Sequence, residues 1–367
     1  MARAGLGARW KCLFANDIDE KKAESYRENY FGGAELLVKD VGQVSTSELP
    51  GEADLIWASF PCQDLSLAGM GAGLKGSRSG TFWPFWERVE SLQNEGRAPS
   101  VVVLENVCGA LTSHNGEDFR SLIRALRETG YRSGALVIDA ALFLPQSRPR
   151  LFLVGVKDGI EINPEMIRET PQAPFHTPGV VTAYTKLSAF DKQSWIWWRL
   201  PSPRPRRSTL ADLIEQDVPW HTMEQTRNLL NMMSHTNLAK VTSARRMLNP
   251  MVGTIYRRTR RDTNGAKQQR AEVRFDDIAG CLRTPGGGSS RQSILFVNGD
   301  DVRSRLLSPR EAARLMGLSD RYALPANYND AYHLMGDGVA VPVVRHLTRY
   351  ILEPLIEAAG KSNQRAA

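Results

Sequence analysis

The run Val101-Val102-Val103-Leu104-Glu105-Asn106-Val107 sets four apolar residues in a row and then a carboxylate. Strict alternation would mean a strand with one wet face, whereas a continuous apolar run means a strand covered on both sides. Working outward, comparable runs occur at Lys11-Cys12-Leu13-Phe14-Ala15, Asp54-Leu55-Ile56-Trp57-Ala58, Ala135-Leu136-Val137-Ile138 and Leu151-Phe152-Leu153-Val154. Between them, residues 19–30, 80–94 and 116–129 read as helices. This alternation predicts a doubly wound α/β domain built on a parallel sheet. Ligands of such sheets bind beyond the carboxyl ends of the strands, so the residues after Ala58 and Leu104 are the first place to look for chemistry.

Bulk composition narrows the class. The 367 residues are 42% hydrophobic and 24% charged, as in an ordinary globular protein. No apolar stretch approaches the roughly 20 residues of a membrane span, and the N-terminus lacks the apolar core of a signal peptide. Four cysteines, at 12, 62, 108 and 281, have no paired spacing; this argues against a disulfide framework or a zinc site and for a reducing cytoplasm. Residues 181–280 hold 17 Lys and Arg against 9 Asp and Glu, a net of +8, while the whole chain is +7. A basic internal third on a nearly neutral remainder suggests a polyanionic partner, against the plainer alternative of a basic surface.

Past residue 160 the β-α alternation dissolves into a Pro-, Arg- and Trp-rich segment, including Trp195-Ile196-Trp197-Trp198 and Tyr256-Arg257-Arg258-Thr259-Arg260-Arg261. We read 165–290 as a second, irregular domain with the Trp cluster as its core, between a catalytic domain at 1–164 and a C-terminal part, 291–367, that returns to it. Order resumes with a strand at Gln292-Ser293-Ile294-Leu295-Phe296-Val297, and the following Asn298-Gly299 predicts a hairpin. Ser308-Pro309-Arg310-Glu311 combines an N-cap, a first-turn proline and a capping-box acid.

Gly71-Ala72-Gly73-Leu74-Lys75-Gly76 fits a dinucleotide fingerprint in spelling only, since no strand-to-helix turn surrounds it. More telling is what the strand ends carry. Cys62 follows one, Glu105 ends a second, and Arg148 and Arg150 open a third, on the same face if the segment is extended. Each alone has an ordinary reading: a core thiol, a cap acid, surface charge. The six histidines (114, 176, 221, 235, 333 and 346) lie in loops or distant segments, which weakens a thiol protease. A thiol with an acid and two guanidiniums suits attack on an electron-poor ring.

These residues resemble the DNA cytosine-5 methyltransferases. Pro61-Cys62-Gln63 matches the family's nucleophile motif, Glu105-Asn106-Val107 its E-N-V motif and Gln146-Ser147-Arg148-Pro149-Arg150 its Q-x-R-x-R motif. Arg305-Leu306-Leu307-Ser308-Pro309-Arg310-Glu311 and Gly336-Asp337-Gly338-Val339-Ala340-Val341-Pro342 are similar to later motifs, in order. The resemblance implies a Rossmann-like S-adenosylmethionine-dependent fold with a smaller target-recognition domain inserted. It implies a flipped cytosine attacked at C6 by Cys62, with Glu105 on N3, Arg148 and Arg150 on O2, Asn106 setting loop geometry, and Gln63 and Ser66 in the loop that closes on DNA. It assigns S-adenosyl-L-methionine to Asp17, Ile18, Asp40, Val41, Pro61, Asp337 and Val339, and duplex DNA to the basic domain, where Arg245, Arg246, Arg257, Arg258, Arg260, Arg261, Arg283 and Arg291 are candidates. The expected setting is a cytoplasmic monomer without metal, paired functionally with a restriction endonuclease.

The chain departs from the pattern in three places. The family's opening strand and glycine-rich loop, roughly D-L-F-x-G-x-G-G, have no counterpart here. That strand is central in the sheet class, so an upstream segment or a truncated gene is expected. Asp337 stands where Asn is frequent, and Cys281-Leu282 where Thr-Leu is common. Two rival readings are a DNA-binding remnant without catalysis and a tRNA cytosine methyltransferase.

Overall fold

The computed structural model describes residues 1–60, 81–261, 265–284 and 291–366, with side chains through residue 360. The chain forms two compact units, each assembled from separated stretches. Ala2–Asp139, Pro149–Arg204 and Val343–Ala367 make the first; Met1, Ala140–Arg148 and Pro205–Pro342 make the second. These boundaries differ from those expected near 165 and 290: residues 165–204 belong to the first unit and 291–342 to the second.

In the first unit β3 (Leu55–Ser59) pairs in parallel with β4 (Val101–Val107). β4 then pairs antiparallel with β6 (Pro149–Lys157), and β6 antiparallel with β5 (Tyr131–Asp139), giving the order β3-β4-β6-β5. The expected all-parallel sheet is therefore corrected at β6. Only residues 140–148 join β5 to β6, and a parallel crossover needs about a dozen or more. The opening stretch behaves as its composition requires, with Val101 to Asn106 all buried. Helix Phe82–Asn94 buries Phe82, Trp86, Val89 and Leu92, and helix Glu117–Glu128 buries Phe119, Leu122, Ile123 and Leu126. Both spacings are those of one helical face, and the two faces join the same core as β4 and β6.

A second, two-stranded parallel sheet pairs β1 (Ala15–Asp17) with β2 (Leu36–Val38). Among the described residues nothing bonds β1 to β3, so the sheet is interrupted at that point. β1 is only half-buried along its length and β3 nowhere fully buried, unlike β4. The interruption falls between the strand ending in Asp17 and the strand leading to Cys62.

The Trp cluster is a correction of a second kind. β8 (Trp197–Trp198) pairs with β7 (Ile167–Arg168) within the first unit. The Trp198 indole N–H donates to the Val154 carbonyl of β6 at 3.2 Å, and Trp197 packs on Trp195 and Tyr184. A Cβ on Gly134 of β5 would lie 1.9 Å from the Ile196 carbonyl oxygen, so only glycine admits this crossing. His176 sits edge-on to Trp197, its Nδ1 accepting from the Gln172 amide. Burial, with Arg168 nearby, pushes its pKa down from 6.5 to about 4. The unfolded chain takes up this proton near pH 6.5, whereas the folded chain resists until about pH 4. Its contribution to stability is thus complete above pH 6.5 and is lost as pH falls between those values. Urea unfolding of His176→Phe is expected to show a shallower decline over that window than the unmutated chain; equal slopes would contradict this.

The second unit is more regular than its sequence suggests. Its sheet runs β10-β9-β11-β12, antiparallel throughout, from β9 (Met251–Arg261), β10 (Lys267–Arg274), β11 (Ser293–Asn298) and β12 (Asp301–Leu306). The predicted hairpin turns at Gly299, with φ of 58°. Helices Met223–Asn231 and His235–Arg245 cover one face, closing Leu229, Met233, Val241 and Ala244 over Ile255, Ala271, Val273, Leu295 and Val297. Ser308 caps helix Pro309–Leu315 through the predicted reciprocal box with Glu311. Glu311 also meets Arg305 in a two-pronged ion pair, both side chains 1% exposed. No helix among the described residues is long and apolar enough to cross a membrane.

Candidate active site

Pro61, Cys62, Gln63 and Ser66 lie outside the described residues. Their approach is nevertheless well defined. Phe60, immediately before Pro61, is buried against Phe82 with ring centroids 5.3 Å apart. Asn106, buried at the end of β4, donates from Nδ2 to the Phe60 carbonyl at 3.2 Å and accepts the Val107 amide on Oδ1 at 2.8 Å. One side chain thereby ties the end of β4 to the segment entering Pro61-Cys62.

Glu105 stands in register with Ser59 of β3 and Phe152 of β6. Its Oε1 is 3.4 Å from Arg150 Nε, with side-chain exposures of 7% and 15%. A carboxylate this enclosed requires a countercharge, and Arg150 supplies it from the neighbouring strand, two residues along the ladder, where it faces Val107. The arrangement puts an acid and a guanidinium at the carboxyl end of β4, as a site in this sheet class demands.

Arg148 has different surroundings, so the two arginines do not act as the matched pair that alternation predicts. It belongs to the second unit, is 2% exposed, and donates to the carbonyls of Leu282, Gly336 and Gly338 and to the Cys281 sulfur. This arginine binds the Cys281-Leu282 segment to the end of helix Tyr328–Asp337. Gln146 adds to the same clamp, donating to the Leu315 carbonyl and accepting from the Leu282 amide. The spelling of such a motif says nothing of which arginine is consumed structurally; that requires the carbonyls it meets, which come from well over a hundred residues away.

For a nucleotide cofactor, Asp17 ends β1 and accepts the Asp19 amide on one oxygen, and Asp40 caps the short turn Val41–Gln43 after β2. Ile18 between the two aspartates is 68% exposed, an unusual state for a large apolar side chain. A carboxylate, a second carboxylate and a bare apolar surface at adjacent parallel strand ends fit the ribose and adenine of an adenosyl group. In the second unit, Asp337 accepts from the Thr284 hydroxyl at 2.5 Å and Val339 is buried.

The basic candidates fall into groups. Arg257, Arg258, Arg260 and Arg261 share β9; Arg245 and Arg246 lie exposed at the end of helix His235–Arg245. Arg283 is exposed, and Arg291 stacks on Tyr328 and donates to Asn329. Sequence reading passed over Lys267, Gln268 and Arg270 of β10, which face the β9 arginines. The signal was present as a second cationic stretch after the turn, but without a period-2 apolar pattern it does not look like a strand.

Residues 2–353 match the profile of the C-5 cytosine-specific DNA methylases. The chain is 25% identical over 375 residues to the type II methyltransferase M.HpaII of Haemophilus parainfluenzae, covering 97% of this chain and 86% of that protein. It is 32% identical over 349 residues to M.BsuFI of Bacillus subtilis, covering 95% and 68%. Among solved structures, a mutant Spodoptera frugiperda DNMT2 superposes with a TM-score of 0.58 at 18% identity, over 93% of this chain and 92% of that one.

Proposed function

Because the chain belongs to the C-5 cytosine-specific DNA methylase family, whose methyl donor is S-adenosylmethionine, we propose that it methylates C5 of a cytosine flipped out of a specific duplex sequence. The single observation that carries this is the enclosed Glu105–Arg150 pair at the end of β4, tied through Asn106 to the segment entering Cys62. Attack of the Cys62 thiolate on C6 forms a C–S bond and makes C5 nucleophilic. Glu105 gives N3 the proton that offsets the charge this attack creates. Arg150 orients Glu105 and, at its exposed edge, donates to the ring's O2. S-adenosylmethionine supplies an electrophilic methyl group for C5, with Asp17, Ile18 and Asp40 holding its adenosyl end. Loss of the C5 proton to a base then expels the Cys62 thiolate, and return of the N3 proton to Glu105 restores the neutral ring and the acid. Arg148 is spent on its carbonyl clamp within the second unit.

A functional pairing with a restriction endonuclease accompanies this reading, in keeping with relatives named type II methyltransferases, and action as a monomer is part of the same proposal. The test is bisulfite sequencing of genomic DNA and of tRNA from a methylation-free bacterial host expressing the chain. Methylation of one short DNA context is expected. Methylation of tRNA alone, or of neither with folded protein in the lysate, would replace this reading with one of its rivals.

A further inference from the structure

The β9–β10 ribbon has two unlike faces. In its register Tyr256 opposes Glu272, Arg258 opposes Arg270, and Arg260 opposes Gln268, so these six residues share one face. On the other face Ile255, Ala271 and Val273 are sealed beneath the helices, Arg257 stands opposite Ala271, and Arg261 faces Lys267 at the far end. The first face is continuous with the clamp around Arg148. The Tyr256 hydroxyl donates to the Cys281 carbonyl at 3.0 Å, and Arg148 donates to the Cys281 sulfur and the Leu282 carbonyl. Gly280 makes this junction possible, since a Cβ there would lie 1.8 Å from the Tyr256 oxygen. From that anchored base, Arg258 and Arg260 extend half-exposed along the ribbon.

Glu272 lies among these cations. Its Oε1 accepts from Nε and Nη2 of Arg260 at 2.7 and 2.5 Å, and its Oε2 is 3.4 Å from Arg258 Nε. Arg258 also rests over the Tyr256 ring, 5.6 Å from its centroid. A surface serving only to attract phosphate loses by carrying a carboxylate there, because the negative charge subtracts from the attraction. A surface that must present guanidinium forks in fixed orientations gains, because a fork already immobilised loses less entropy when it binds.

Resting on the reading of the protein as a duplex-DNA methylase, we propose that this face enters the major groove, with Arg258 and Arg260 reading guanine edges and Glu272 as the positioning residue that holds both forks. A two-stranded ribbon fits a groove about 12 Å wide, and a planar guanidinium spans guanine O6 and N7. Arg261 and Lys267, on the reverse face at the far end, contact phosphates. The target sequence therefore contains guanines at two positions set by the ribbon.

The test is selection of bound duplexes from a randomised library by the full chain, followed by sequencing and salt titration. Arg258→Ala and Arg260→Ala are each expected to erase the preference for guanine at one position, a change of about 5- to 150-fold. Arg261→Ala and Lys267→Ala are expected to weaken all sequences alike and to lower the salt slope by about 1 each. Glu272→Gln should tighten binding to random duplex while narrowing its margin over the target, an outcome that a purely structural glutamate does not produce. Uniform weakening by Arg258→Ala and Arg260→Ala, unchanged preferences, or no binding of duplex by the unmutated chain would each overturn the proposal. Because the readout is binding, it stands or falls apart from methyl transfer, which the bisulfite experiment measures.

Discussion

Replacing Cys62 with alanine is expected to lower methyl transfer by about 10⁴-fold or more, while duplex binding stays within a few-fold. Removing a nucleophile that acts as part of a unit costs rates of that order. Cytosine offers little nucleophilicity at C5 until a group has added at C6, so no neighbouring side chain substitutes for the thiolate. Cys62→Ser falls between, since a hydroxyl is a far weaker nucleophile at neutral pH. Glu105→Gln is expected to cost roughly 10²- to 10⁴-fold, the usual range for a lost proton donor, with Cys62 still present. Incorporation of labelled methyl groups into DNA, beside a gel-shift measurement on the same protein, separates the effects. Activity of Cys62→Ala within tenfold of the unmutated chain would sink the covalent route.

The largest expected effect on stability is at Arg305. Arg305→Ala should destabilise the second unit by about 3–5 kcal/mol, the cost of leaving a buried charge without its partner. The partner here is Glu311, 1% exposed like Arg305 itself. Glu311 accepts not only both prongs of Arg305 but also the amides of Glu215 and Ser308. Arg305 in turn donates to the carbonyls of Glu215 and Leu306 and lies 4.9 Å from the Trp220 ring centroid. The 215–220 segment and the 305–311 turn thus meet at one pair. Replacing both residues by methionine should recover only part of the loss, because the two amides would still lack their acceptor. Urea unfolding followed by Trp fluorescence reads both variants; a loss below about 1 kcal/mol for Arg305→Ala would mean that water reaches the pair.

The legible parts of this fold were those whose signal is local. Val101 to Leu104 declared a doubly covered strand because coverage leaves its mark on each residue in turn. Ser308 to Glu311 declared a helix start because the capping box closes within four residues. Strand direction is different in kind: Leu151 to Val154 is as apolar as a parallel strand, and only the shortness of the connection from β5 shows that β6 must run back. Trp197 and Trp198 could not be assigned to a unit from composition, because what buries them is the Val154 region of β6 and the Tyr184 ring. The ribbon escaped notice because its outer half is wet on both faces and shows no apolar alternation.

The candidate site followed the same division. Motif spelling singled out Glu105, Asn106, Arg148 and Arg150 but gave the two arginines one shared duty. The separation came from partners: a carboxylate for Arg150, carbonyls for Arg148, and for Asn106 the peptide oxygen of Phe60.

The interleaving of the two units has a consequence for how the protein is made. The first unit takes its last stretch from Val343 onward, where Val344, Leu347, Ile351 and Leu355 are all fully buried. While the ribosome works through the second unit, β3 to β6 are already outside but cannot cover the surface that this stretch will occupy. At about 5–20 residues per second, the wait between Val156 and Val343 is on the order of 10–40 s. For that interval the nascent chain carries an unfinished apolar core, and its yield in a cell depends on what shields that core until the final turns of helix arrive.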